Sequence, residues 1–198
     1  MDHSLTSARV DAVDPRRLRT RKAMLAAMLA LLAERRFEDI QITDLTQRAG
    51  VGYATFFRHF ADLRAALEEV AGEEIRALLA MTIPVMRQGD PQLPSDGLAS
   101  STRALCQFVD ARRALWRTLL TGGARDTVRA EFVRQAREWA SRYSLPEARV
   151  PIDLGTVCCA GSTIDALAWW LEEGADFTPE AFADYIDRLI ILPFLRER

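Results

Sequence analysis

The chain has 198 residues, 49% of them hydrophobic and 27% charged, with a formal net charge of −2. That balance excludes a disordered chain, and the length suits one or two small domains with a buried core. Three cysteines, of which Cys158 and Cys159 are adjacent, make no disulfide framework, and His3 and His59 are the only histidines; neither a metal nor a cofactor is expected.

Residues 1–15 are expected to form a flexible N-terminal arm. Residues 1–64 carry 11 Lys+Arg against 8 Asp+Glu, and residues 65–198 carry 15 against 20, so the basic charge lies early. Arg16, Arg17, Arg19, Arg21 and Lys22 form a cluster there. The following apolar run, Ala23–Ala33, is too short for a bilayer, which needs about 20 residues. Its Met24, Leu25, Met28, Leu31 and Leu32 fall at helical spacing, as one core face should. The pattern predicts a first helix over Thr20–Glu34, no membrane span and a cytoplasmic protein.

The next segment is the most specific. A short helix is predicted at Thr43–Ala49, a turn at Gly50-Val51-Gly52 and a second short helix at Tyr53–Phe60. Two short helices joined by a tight glycine-containing turn make a helix-turn-helix, whose second helix can enter the major groove of DNA. Thr43 suits an N-cap and Asp44 the positive end of the helix. Leu45 with Ala49, and Phe56 with Phe60, are spaced to face inward. Gly50 stands where a left-handed residue usually ends a helix. Gly52, Tyr53, Thr55, Phe57, Arg58 and His59 remain available to DNA. Beside such a motif the basic cluster, Arg17 and Arg19 included, is expected to meet phosphates.

From Arg19 to Val70 the chain resembles the DNA-binding domain of the TetR family of bacterial transcriptional regulators. The ITDLTQRAGV segment and the run Thr55–Phe60 (TFFRHF) carry the resemblance. It implies base contacts from Gly52, Tyr53 and Ala54, and backbone contacts from Thr43, Thr55, Phe57 and His59. Three positions depart from the family pattern. Phe57 stands for a usual Tyr and lacks the hydroxyl that would bond a phosphate. Leu63 stands where a Lys commonly meets phosphate, with Arg64 next to it as a substitute. Arg36 replaces a usual Gly, which is costly if that residue needs a positive φ.

After the motif the sequence predicts helices alone: Asp62–Val85 ending near Pro84, a loop at Arg87–Gly97, and Leu98–Leu120 with a break near Ala111-Arg112. Gly122-Gly123 precedes Arg125–Tyr143, and Pro146–Pro151 leads into a helix that stops at Gly174. Thr178-Pro179-Glu180 starts the last helix, which reaches about Phe194. The expected fold is all-α with about nine helices: a three-helix DNA-binding domain over 16–64, then a helical effector-binding and dimerisation domain over 65–198.

Leu154–Leu171 is apolar nearly all round, and the final helix carries more than one core stripe. Burial of both faces calls for a second copy, and the resemblance implies a four-helix dimer bundle. Leu167, Trp170, Phe182, Tyr185, Ile186 and Leu189 are the expected interface. A dimer also places two recognition helices about 34 Å apart on a palindromic operator in double-stranded DNA. The resemblance further implies a small effector in the C-terminal helices, with Met81, Met86, Phe108, Trp116, Trp139, Cys158 and Trp169 as candidate lining. Few charges fall at inward positions, so an apolar or aromatic effector is expected. Cys158 and Cys159 are expected to pack rather than to sense thiols.

No phosphate-binding glycine loop or nucleophile motif is present, and the carboxylate pairs lie on wet helix faces, so no enzyme is expected. The leading expectation is a repressor released from its operator by a small apolar effector. The alternative is a helical protein-interaction module that keeps the fold without reading an operator.

Overall fold

The computed structural model describes residues 14–88, 94–141 and 150–195, with side chains over 14–81, 101–141 and 150–193. Among the described residues there is no strand.

Helix α1 (Pro15–Glu34) begins five residues before the predicted start. The Asp14 carboxylate accepts the Arg16 N–H at 2.9 Å, and Pro15 supplies the preset φ of a first turn. The basic cluster is therefore part of the helix, and Met24, Leu25, Met28, Leu31 and Leu32 are buried as their spacing predicts. Helix α2 (Ile42–Arg48) is capped at Gln41, whose N–H donates to the Asp44 carboxylate at 2.9 Å. Thr43 is thus in the first turn, exposed, and not the N-cap. Gly50 has φ 66°, as a glycine at the end of a helix should. Helix α3 (Tyr53–Phe56) is shorter than predicted and ends in a turn over residues 57–59. Arg36 is extended at φ −66°, so its departure from glycine carries no backbone cost.

Helix α4 (Leu63–Gln88) continues through Pro84, and α5 (Pro94–Asp110) begins inside the predicted loop. The expected break separates α5 from α6 (Arg113–Leu120). Helices α7 (Arg125–Ala140), α8 (Ile152–Glu172) and α9 (Pro179–Ile186) follow. The Thr178 hydroxyl caps α9 by accepting the Ala181 N–H at 3.3 Å. A wide π turn over Asp187–Ile191 then leads to α10 (Leu192–Leu195). At that turn the Thr102 hydroxyl donates to Asp187 at 2.5 Å, and burial pushes the Asp187 carboxyl above the usual carboxylate range.

One contiguous apolar core runs from α1 to the π turn. Its polar ties are few and specific. Arg112 donates two hydrogen bonds to the nearly buried Glu74 carboxylate, joining α4 to the start of α6. Arg113 lies over the Trp170 ring at 4.8 Å and donates to the Trp170 carbonyl at 2.8 Å. The Trp170 ring stacks on Phe182 with centroids 4.8 Å apart. Helix α8 is long and apolar enough to cross a membrane by length and composition. Half of that stretch is buried inside the chain, and Asp153 and Asp165 on it pair with Arg137 and Arg125 of the neighbouring helix.

Much of the expected interface is already covered in one chain. Leu167, Trp170, Phe182 and Ile186 are each buried within the single chain, at 3% exposure or less. The reason is that α8 packs against α6, α7 and α9 at once, so one chain covers more of its circumference than its sequence suggests. Tyr185 (44%) and Leu189 (74%) are exposed, joined by Trp169 (44%).

Candidate nucleic-acid interface

The recognition turn is built on an aromatic base. Phe56 and Phe60 are buried and their ring centroids are 5.7 Å apart, which fixes α3 against the core. The opposite side of the four-residue helix is consequently forced outward. Gly52 and Ala54 are exposed, Tyr53 is 54% exposed and Phe57 50%. The Phe57 ring meets Tyr53 edge-on at 5.4 Å. Thr55 is half-buried, and its hydroxyl accepts from the Arg58 guanidinium at 3.3 Å.

Arg21 departs from the expectation for the basic cluster. Its guanidinium forks onto the Glu69 carboxylate, donates to the His59 carbonyl at 2.9 Å and lies 4.6 Å over the Phe60 ring. It locks α1, the turn after α3 and α4 into one unit, and is a structural residue. Arg16, Arg17, Arg19 and Lys22 are exposed on α1. Arg17 is close enough to act on His59: burial, then the charges of Arg17, Arg21 and Arg58, hold the imidazole below the usual histidine range. The buried His59 Nδ1 has no hydrogen-bond partner. Positive charge therefore gathers round the turn, while the ring itself stays neutral at pH 7.

Arg64 is held elsewhere. It donates to the Thr127 hydroxyl on α7 at 2.7 Å, bridging the start of α4 to the C-terminal helices. Leu63 packs against the core, which accounts for an apolar residue at that position. A second bridge was not foreseen. Glu38 lies against Gly122 and Gly123, close beside Arg36, and its own backbone N–H, then the Gly123 N–H, hold its carboxyl below the usual range. Gly122 has φ 63°, which favours glycine, and a Cβ there would meet the Glu38 carboxylate at 2.8 Å and push it aside.

The expected effector lining is spread over α4 to α8. Phe108 and Trp116 face each other at 6.1 Å, and the fully buried Trp116 Nε1 has no partner. Trp139 and Cys158 are half-buried, and Met81 is 52% exposed near the C-terminal part of α4. The Met86 side chain lies outside the described residues. Trp169 belongs with Phe177, Phe182, Tyr185, Ile186 and Leu189, which line an apolar cavity of about 290 Å³ on α8 and α9. Burial pushes the Cys106 thiol up to about 12 and the Cys159 thiol up to about 11; both are packing groups with little thiolate at neutral pH.

These features define an all-α protein in which a helix-turn-helix with exposed basic and aromatic side chains is tied by hydrogen bonds to a larger helical body. No family model matches the chain. A curated protein of Haemophilus influenzae, described as an uncharacterized HTH-type transcriptional regulator, is 25% identical over 131 residues. That match spans 64% of this chain and 62% of the relative, less than two thirds of its length. A solved structure from Syntrophomonas wolfei, assigned to the TetR-family transcriptional regulators, superposes with a TM-score of 0.68 at 15% identity, covering 90% of this chain and 96% of that one. Thermus thermophilus FadR, a TetR-family repressor in complex with lauroyl-CoA, gives 0.61 at 16% identity over 90% and 96%. RolR in complex with resorcinol gives 0.59 at 23% identity over 88% and 89%. The chain has the fold of the TetR family of bacterial transcriptional regulators.

Proposed function

We propose that this protein is a cytoplasmic, homodimeric DNA-binding regulator, a repressor whose hold on a palindromic operator is released by a small apolar or aromatic effector. The observation that carries the reading is the exposed set Gly52, Tyr53, Ala54 and Phe57 on and beside a helix anchored by Phe56 and Phe60, with Arg17 and Arg58 next to the turn that follows. In this assignment Tyr53 reads base edges, while Thr43, Thr55, Arg58 and His59 lie along the phosphates. Arg64 has a second task, holding the DNA-binding helices to α7. Selection of bound duplexes from random DNA tests the assignment. Tyr53→Ala is expected to change the preferred sequence, losing roughly 1–3 kcal/mol at the affected position, whereas Arg58→Ala weakens all sequences alike. Identical sequence profiles for Tyr53→Ala and the parent would remove Tyr53 from base reading.

His59 gives this reading a pH dependence. Its lowered pKa leaves the free protein with a neutral ring at pH 7. A phosphate beside it favours the imidazolium, so binding takes up a proton and DNA affinity rises as pH falls below 7. The free fold moves the other way, since a neutral, partly buried ring must charge and stability declines in the same range. Titrating affinity from about pH 7.5 to 5.5 for the parent and His59→Gln should give a rise that the variant lacks; parallel curves would contradict the contact.

The exposed apolar face of Trp169, Tyr185 and Leu189 supports dimerisation, with a second copy covering the cavity between them. Leu189→Glu is expected to yield a monomer that still folds, because the side chain is exposed in one chain and would be buried only between two. Light scattering that finds the variant and parent at the same mass would move the interface elsewhere. For the effector, the partnerless Trp116 Nε1 beside Phe108 supports a ligand with an aromatic or aliphatic body and one acceptor atom. Resorcinol on RolR and lauroyl-CoA on FadR are ligands carried by this fold.

A further inference from the structure

The residues facing outward on α3 lack the side chains that usually read bases. From Val51 to Phe57 the sequence is VGYATFF, with no Arg, Lys, Asn or Gln. The bidentate pairings of Arg with guanine and of Asn or Gln with adenine are therefore unavailable from this helix. What it presents instead is a continuous apolar surface. The Tyr53 and Phe57 rings touch edge-on at 5.4 Å and are 54% and 50% exposed, with the Ala54 methyl exposed beside them. Phe57 also packs edge-on against the buried Phe56 at 5.3 Å, which limits its freedom to swing away.

Phe57 has no hydroxyl to offer a phosphate, so pressing it against the DNA backbone would desolvate an anion without a hydrogen bond in return. The major groove contains one apolar group that an aromatic edge can cover, the C5-methyl of thymine. Resting on the DNA-binding reading above, we infer that Phe57 is a specificity residue: together with Tyr53 it forms an apolar clamp on a thymine methyl in each operator half-site. Surrounding charge suits that placement, because Arg17 and Arg58 are exposed nearby and would hold the backbone while the ring pair meets the base.

The test uses the full-length protein and the duplex recovered by selection from random DNA. Each thymine of the half-site is replaced in turn by deoxyuridine, which removes the methyl and keeps every hydrogen-bonding edge. Affinities are measured by fluorescence anisotropy for the parent, Phe57→Ala and Phe57→Gln, with circular dichroism to confirm that each variant is folded. One uracil position is expected to weaken the parent by about four-fold, the value of one buried methyl, and to leave both variants within about two-fold. Phe57→Tyr retains the ring edge and is expected to retain the penalty. A selected half-site without thymine, a parent indifferent to every uracil, or an equal penalty in parent and variants would each overturn the clamp while leaving DNA binding intact. Failure to select any duplex would instead remove the DNA-binding reading and the clamp with it.

Discussion

Replacing Trp170 by alanine is expected to destabilise the fold by about 3–5 kcal/mol, the range for truncating a fully buried large aromatic side chain. The ring is 0% exposed and stacks on Phe182 at 4.8 Å, and its Nε1 donates to the Phe177 carbonyl at 3.1 Å. Arg113 loses the ring on which its guanidinium rests. Three neighbours from α6, α9 and the segment before α9 would thus face a cavity together. Trp169→Ala, one residue earlier, removes a side chain that is 44% exposed, and its cost to the single chain should be small. Urea unfolding of the two variants separates them. Equal midpoints would mean that the assignment of inward and outward faces on α8 is wrong.

Phe56→Ala should have a comparable cost, about 3–5 kcal/mol, with a different consequence. Phe56 is 0% exposed and touches both Phe57 and Phe60, so its loss undermines the base on which the recognition helix sits. DNA binding is expected to fall for every sequence, because the geometry of Tyr53, Thr55 and Arg58 is lost as a group. Subunit mass should be unchanged, since the apolar cavity and Leu189 lie on α8, α9 and the turn beyond. Phe57→Ala changes a half-exposed ring and is expected to leave the unfolding midpoint near the parent's. Retention of operator affinity by Phe56→Ala would show that α3 does not depend on this anchor.

Those contrasts between adjacent residues mark where sequence reasoning succeeds and where it stops. The helix-turn-helix was legible because its signals are local: Gly50 after a short helix, and Phe56 and Phe60 at a four-residue interval. The break near Ala111-Arg112 and the Thr178-Pro179 start were legible for the same reason. Asp14-Pro15 is an equally local start signal that the adjoining run of basic residues obscured. Gln41 displaced Thr43 as the cap because Asp44 reaches back to its N–H, a choice between neighbours that composition does not decide. Arg21 was assigned to phosphate because its partners are remote in sequence, Glu69 being 48 residues away and His59 38. The inward set on α8 required knowing that three helices surround it. The clasp of Glu38 on Gly122-Gly123 joins segments that no short-range pattern connects.

Equilibrium binding against salt is the sharpest test of whether this fold reads DNA. Anisotropy titrations of the purified protein should be made with its selected duplex, and with a scrambled duplex of equal composition, from about 50 to 200 mM salt. Affinity for both duplexes is expected to fall linearly on a log–log plot as counterions are displaced by Arg17, Arg19 and Arg58. The selected duplex should stay at least about a thousand-fold tighter throughout. Equal affinity for the two duplexes, or binding indifferent to salt, would contradict DNA reading and favour a helical interaction module that keeps the fold without reading an operator.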